Sequence, residues 1–156
     1  MIWNDETLKR WIDSGGIAPA DYDCINPASV DLHIDSHYVN LLSGDRFETR
    51  RIDIRPGFPI LATTIEVVTI PSDAAAVVYL KSSRAREGLD HALAGWIDPG
   101  FSGTITLELH AHRPLVLTAG QRVIQIVLMS LNAPAAKPYA GRYQNQRGAT
   151  EKREGN

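Results

Sequence analysis

The stretch ALAGWIDPGFSGTITLEL, residues 92–109, is where the fold of this chain is decided. Its first half is turn material. In Asp98-Pro99-Gly100 the proline presets one φ and the glycine takes a conformation that side chains resist. Its second half alternates with a period of two. Ile105, Leu107 and Leu109 fall on one side and Thr104, Thr106 and Glu108 on the other, as in a strand with one apolar and one polar face. His110 continues the polar row. A glutamate on such a face is ordinarily only solvated. Here its neighbours are hydroxyls and an imidazole, a set that suits a hydrated cleft, where a carboxylate takes a proton from water and returns it to a leaving amine. Gly95 and Gly103 permit close approach of the backbone to a ligand, and Asp98 can receive a hydroxyl or hold a water.

The same period recurs outward from this hairpin. Val30, Leu32 and Ile34 alternate with Asp31, His33 and Asp35. Residues 60–70 are rich in Ile, Val and Thr, and Val77–Leu80 and Val123–Leu131 are further apolar runs that suit strands. Ser43-Gly44-Asp45, Arg55-Pro56-Gly57 and Ala119-Gly120 mark turns between them. Many short strands with regular turns predict an all-β β-barrel or double-sheet fold. One helix is expected within residues 1–16, capped by Asn4 or Asp5, with Leu8, Trp11 and Ile12 on one face and Gly15-Gly16 at its end. A polar tail over residues 139–156 reads as loose by composition. The whole is expected to be a single domain.

The chain has 156 residues, 44% hydrophobic and 22% charged, enough for a real core. Its formal net charge of -2 argues against a general nucleic-acid surface. No apolar run is long enough for a membrane helix, and the segment MIWNDETLKRW lacks the pattern of a secretory signal. With one cysteine, Cys24, no disulfide forms within the chain, and a cytoplasmic setting is expected. Cys24 is expected to be a packed or surface thiol and not a nucleophile.

Two further segments carry candidate chemistry. KSSRAREG, residues 81–88, follows a strand and places two hydroxyls among three cations, groups that hold phosphate oxygens by charge-assisted bonds. RYQNQRGAT, residues 142–150, offers cations, an aromatic ring and amides, and would make a lid that orders on an anionic ligand. His110 and His112 lie on one side of a strand without a third metal ligand evident nearby. A zinc deaminase site needs His-x-Glu and Pro-Cys-x-x-Cys, which one cysteine cannot supply.

Taken in order, INPASVDLHI, KSSRAREG, HALAGWIDPGFSGTITLEL, GQRVIQIVL and PYAGRYQNQRGAT resemble the dCTP deaminase family of the dUTPase-like superfamily. The likeness runs from the N-terminal helix almost to the end. It implies a distorted β-barrel or jelly-roll of the β-clip type, a homotrimer with active sites at subunit interfaces, and no zinc. Mg²⁺ would be carried in by the substrate triphosphate. By position, the resemblance makes Glu108 the general acid/base. Ser82 and the carbonyl of Ala94 would hold the attacking water, Arg86 would orient the site, and Asp98 would lie near the sugar or the water. Lys81 and Ser83 would contact phosphates, with Gln125 in a supporting motif. Tyr139, Arg142 and Gln146 would clamp the triphosphate.

Some positions depart from the family pattern. Arg84 and Glu87 stand where apolar residues are usual, the loop His110–Pro114 is short, and Leu93 replaces a threonine linked in the family to dTTP feedback. The expected reaction is dCTP to dUTP and ammonia. The alternative is a bifunctional enzyme that also cleaves the triphosphate, giving dUMP and pyrophosphate; Thr106, Trp96 and the tail spelling RYQNQRG lean that way. A plain dUTPase and a nucleotide-binding regulator without catalysis are the remaining readings.

Overall fold

A computed structural model describes residues 1–92 and 94–154, so Leu93 lies outside the described residues. The elements, in order, are α1 (Asp5–Asp13), β1 (Ile17–Ala18), β2 (Ile25–Asn26), β3 (Ser29–His33), β4 (His37–Asn40), β5 (Arg46–Glu48), β6 (Arg51–Ile54), β7 (Ile60–Thr69), β8 (Ala74–Leu80), α2 (Ser82–Arg86), β9 (Leu89–His91), β10 (Trp96–Ile97), β11 (Ser102–Ala111), β12 (Leu115–Thr118) and β13 (Arg122–Ser130). One sheet runs β5-β4-β7-β11-β9, with β1 also on β7. A second runs β10-β8-β13-β3-β2, and β12 pairs with β6 alone. Every pairing among these strands is antiparallel. The sheets stay open and do not close into a barrel, so the jelly-roll form of the expected fold holds and the closed form does not.

Alternation explains where the core sits. Leu32, Ile124, Ile126 and Leu128 from one sheet and Leu89 and Leu109 from the other are fully buried, together with Ile52, Ile54 and Leu117 of the small third sheet. Helix α1 is capped by Asn4, whose Oδ1 accepts from the Thr7 amide at 3.1 Å. It buries Leu8, Trp11 and Ile12, and the Trp11 indole donates to the Thr69 carbonyl at 2.9 Å, fastening the helix to the end of β7.

Two expectations change on the strands. In β3, Asp31 does not face water: it is buried and bonded to Lys81 and, at 3.0 Å, to the Asn26 amide. In β11, Thr104 does not share the open face of Thr106 and Glu108. The β11–β7 register shifts between Thr104 and Thr106, and Thr104 is buried. Such an irregularity re-aims side chains on one side of a strand.

Candidate active site

The polar face of β11 opens into a cavity of about 470 Å³, within the range of small-molecule sites. Of the residues expected to act, Ala94, Trp96, Asp98, Thr106, Glu108, Tyr139 and Gln146 line it together. Three parts of the chain build it. β11 supplies Thr106 and Glu108 at alternate positions. The β10 hairpin supplies Trp96 and Asp98, and the tail after Pro138 supplies the outer wall.

Glu108 is half-buried, and burial raises its carboxyl above the ordinary carboxylate value; the nearby His91 imidazole pulls the other way. A raised carboxyl that faces a cavity can both take and give a proton. The pairing of β11 with β9 sets His91 opposite Leu109, and the Glu108 carbonyl accepts from the Ala92 amide at 3.0 Å. On the hairpin, the Trp96 indole donates to Asp98 Oδ1 at 2.9 Å while its ring stays exposed. An exposed ring with its polar edge engaged leaves a flat face for a planar ligand.

The close approach permitted by glycine is to the chain itself. A Cβ at Gly95 would stand 2.5 Å from the Val78 carbonyl, which holds the hairpin flush against β8. Gly103, at φ +156, lies against Gln146 of the tail. The glycines that sequence reading assigned to a ligand therefore shape the wall and do not themselves make room in the cavity.

The tail, loose by composition, is docked. The Gln144 side chain donates to the Gly100 carbonyl at 2.8 Å and accepts from the Ser102 amide at 2.9 Å. The buried Gln146 amide donates to the Thr104 carbonyl at 2.8 Å. The Thr150 amide donates to Thr106 Oγ1 at 3.2 Å. Tyr139 packs edge-on against Phe101, ring centroids 5.8 Å apart, and its hydroxyl accepts from the Tyr143 amide. Arg142 is exposed and donates to the Arg153 carbonyl at 2.6 Å, away from the cavity lining.

Lys81, Ser82, Ser83, Arg86 and Gln125 do not line this cavity. Ser82, Ser83 and Arg86 stand exposed on α2, a single turn that follows β8. Lys81 is bonded to the buried Asp31, and Gln125 Oε1 accepts from Ser29 Oγ at 3.1 Å. One chain thus carries two separate sets of the expected residues: a cavity wall with a carboxylate and an indole, and an exposed hydroxyl-and-guanidinium turn. Sequence reading counted Tyr143 only as the aromatic ring of the tail and gave no role to Thr150 or Lys152; all three line the cavity. Thr150 lies within the quoted tail string. Nothing in the sequence singled out Lys152, or His91 as a neighbour of Glu108, because strand pairing and tail docking create those proximities.

A family model described as dCTP deaminase-like matches residues 2–131. The chain is 38% identical over 182 aligned residues to a Clavibacter michiganensis protein named "dCTP deaminase, dUMP-forming", covering 98% of this chain and 90% of that one. That name agrees with the bifunctional alternative better than with a reaction that ends at dUTP. The crystal structure of a 2'-deoxycytidine 5'-triphosphate deaminase from Agrobacterium tumefaciens superposes with a TM-score of 0.72 at 20% identity, covering 81% of this chain and 48% of that one. A dUTPase of Staphylococcus bacteriophage 80alpha superposes at TM-score 0.51 and 14% identity, over 73% of this chain and 79% of that one. At these identities the two structures establish the dUTPase-like fold.

Proposed function

The chain belongs to the dCTP deaminase-like family, and we propose that it converts dCTP and two waters into dUMP, ammonia and pyrophosphate. The observation that carries this reading is Glu108, half-buried with a raised carboxyl, in one cavity with Trp96, Asp98 and the docked tail. In the first step the Glu108 carboxylate takes a proton from water. The resulting nucleophile attacks C4 of cytosine, and Glu108 returns the proton to the amino group as ammonia leaves. Acid/base help of this kind supplies ~10²–10⁴-fold. Positioning and exclusion of water by the docked wall supply more of the acceleration. In the second step water displaces pyrophosphate from the α-phosphorus of dUTP, leaving dUMP.

The separation of the two residue sets supports a shared site. Ser82, Ser83 and Arg86 project from α2 into solvent, where a second copy can receive them. A homotrimer would then bring one copy's α2 to its neighbour's Glu108 cavity. Ser82 would hold the water with the Ala94 carbonyl, Arg86 would orient the site, and Ser83 would meet phosphate. Tyr139, Gln146 and Lys152 would face the triphosphate, Arg142 would join them on leaving the Arg153 carbonyl, and Gln125 would stand in support. Mg²⁺ would arrive as the counterion of the triphosphate. The cytoplasm is the proposed compartment. No helix among the described residues is long and apolar enough to cross a membrane.

Product analysis tests the reading. Purified protein incubated with dCTP and Mg²⁺ is expected to release equal amounts of ammonia, dUMP and pyrophosphate. Accumulation of dUTP at the same rate as ammonia would return the reaction to a single deamination. Pyrophosphate from dUTP with no ammonia from dCTP would leave only a dUTPase.

A further inference from the structure

A second cluster of reactive side chains lies beneath helix α1, sharing no residue with the nucleotide cavity. Cys24 is buried, at 2% exposure, and its Sγ stands 3.2 Å from Asp21 Oδ2 and 3.8 Å from His33 Nε2. The ligating atoms of Asp21, Cys24 and His33 all lie within 4.8 Å of one another. We propose that these three residues bind one divalent ion of the zinc class, with the fourth position held by water.

Four observations carry the proposal. The ligand set is one thiol, one imidazole and one carboxylate, each of which binds zinc. Tetrahedral bonds of about 2.0–2.3 Å place neighbouring ligand atoms ~3.5 Å apart, and the two closest separations here, 3.2 and 3.8 Å, bracket that spacing. His33 is oriented from behind: its Nδ1 lies 2.5 Å from Oε1 of the buried Glu66, whose carboxylate also accepts the His33 backbone amide. With Nδ1 donating to Glu66, Nε2 turns its lone pair toward Cys24. A carboxylate behind the imidazole is the usual second partner of a metal-bound histidine. Finally, a void of about 10 Å³ opens beside Asp21 and Cys24, lined otherwise by Ile12, Ile17, Pro19, Val30, Asp31 and Glu66 and not by His33, with room for one atom at most.

The same order of groups, thiol to imidazole to carboxylate, also occurs in nucleophilic enzymes. Here the void admits no substrate. Cys24 would bind as the thiolate, one proton leaving for each ion taken up. Arg122 stands 3.6 Å from the same Asp21 oxygen and is partly exposed, so it can withdraw toward solvent. Occupancy would tie the turn at Tyr22–Cys24 to the end of β3. It would also act close to the Asp31–Lys81 pair that precedes α2.

Direct metal measurement decides the matter. Protein stripped by chelator and titrated with Zn²⁺ against a chelating dye is expected to take up one ion per chain and to melt higher when loaded. Co²⁺ in its place should give the charge-transfer absorption of a cobalt–thiolate bond. Cys24→Ser should remove that band and lower zinc affinity at least ~100-fold, and Glu66→Gln should lower it ~10–100-fold. Asp21→Asn changes a partly exposed side chain and keeps the test independent of core packing; it too should weaken uptake. The His110→Ala, His112→Ala double variant should bind as the parent does. Absence of zinc uptake, a cobalt complex without a thiolate band, or uptake lost only in the His110, His112 variant would each overturn the proposal.

Discussion

Gln146 Nε2 donates to the Thr104 carbonyl at 2.8 Å, and the Thr104 amide donates back to the Gln146 carbonyl at 3.1 Å. This reciprocal pair turns the tail into a parallel extension beside β11, one residue row from Thr106 and Glu108. The wall of the cavity is therefore held by uncharged amide and carbonyl groups, side-chain and backbone, that no change of surface charge would release.

Gln146→Ala is expected to leave the buried Thr104 carbonyl short of a partner, at a cost of about 1–3 kcal/mol. The loss should be local, read as faster amide exchange over 139–154 and at the β11 start. Deleting residues 140–156 removes Tyr143, Gln146, Thr150 and Lys152 from the lining, and dCTP affinity should fall tenfold or more, roughly 1.4 kcal/mol. Calorimetric titration that finds parent affinity in the truncated chain would show that the wall contributes nothing to binding.

Glu108→Gln keeps the shape of the β11 face and removes the proton carrier. Ammonia release should drop by ~10²–10⁴ while dCTP binding stays within a few-fold of the parent. Single-turnover measurements separate the two effects. A variant that retains near-parent turnover would place the proton transfers on another group.

The raised carboxyl of Glu108 also has a stability signature. Burial lifts its titration above the ordinary 4.5, so between that value and the folded one the native state binds more protons than the unfolded state. The contribution is complete below the unfolded value and is lost as pH rises through the folded one. Glu108→Gln, which cannot ionise, should therefore melt higher than the parent at neutral pH. The difference should shrink as pH falls and vanish below about pH 4. Melting curves across pH 4–8 that run parallel would contradict the assignment.

Lys81 faces the buried Asp31 and is only a quarter exposed. Lys81→Met would strand a carboxylate in the interior, destabilising the fold on the order of 3 kcal/mol. The double variant Lys81→Met, Asp31→Asn should recover most of that, since the second change removes the stranded charge. Denaturant midpoints for the four proteins give the coupling energy, and simple additivity would mean that the pair contributes no interaction of its own.

The long strands were legible because each carries enough signal of its own. β11 shows alternation with a period of two, while β7, which buries its first five residues in succession, and β13 show runs of β-branched and apolar residues over nine or ten positions. The short ones were not. All three residues of β5 are exposed, and β9 has only Leu89 buried, too little pattern to read; pairing with a longer neighbour is what makes them strands. KSSRAREG, legible only as a polar segment after a strand, forms the helical turn α2, since a five-residue helix has too few positions to show a period.

The cavity divides in the same way. Trp96, Asp98, Thr106 and Glu108 lie within thirteen residues of one another, and a turn followed by alternation is enough to set them on one surface. Local steric and solvation preferences determine that much, and they act within a few residues of chain. Whether Lys81 meets phosphate or Asp31, whether the tail floats or docks, and which histidine stands by Glu108 depend on partners between 17 and 50 residues away. Such contacts form only when burial of the two sheets offsets the entropy of bringing distant segments together. Their energy belongs to pairs that tertiary packing selects, so no one segment's composition contains it.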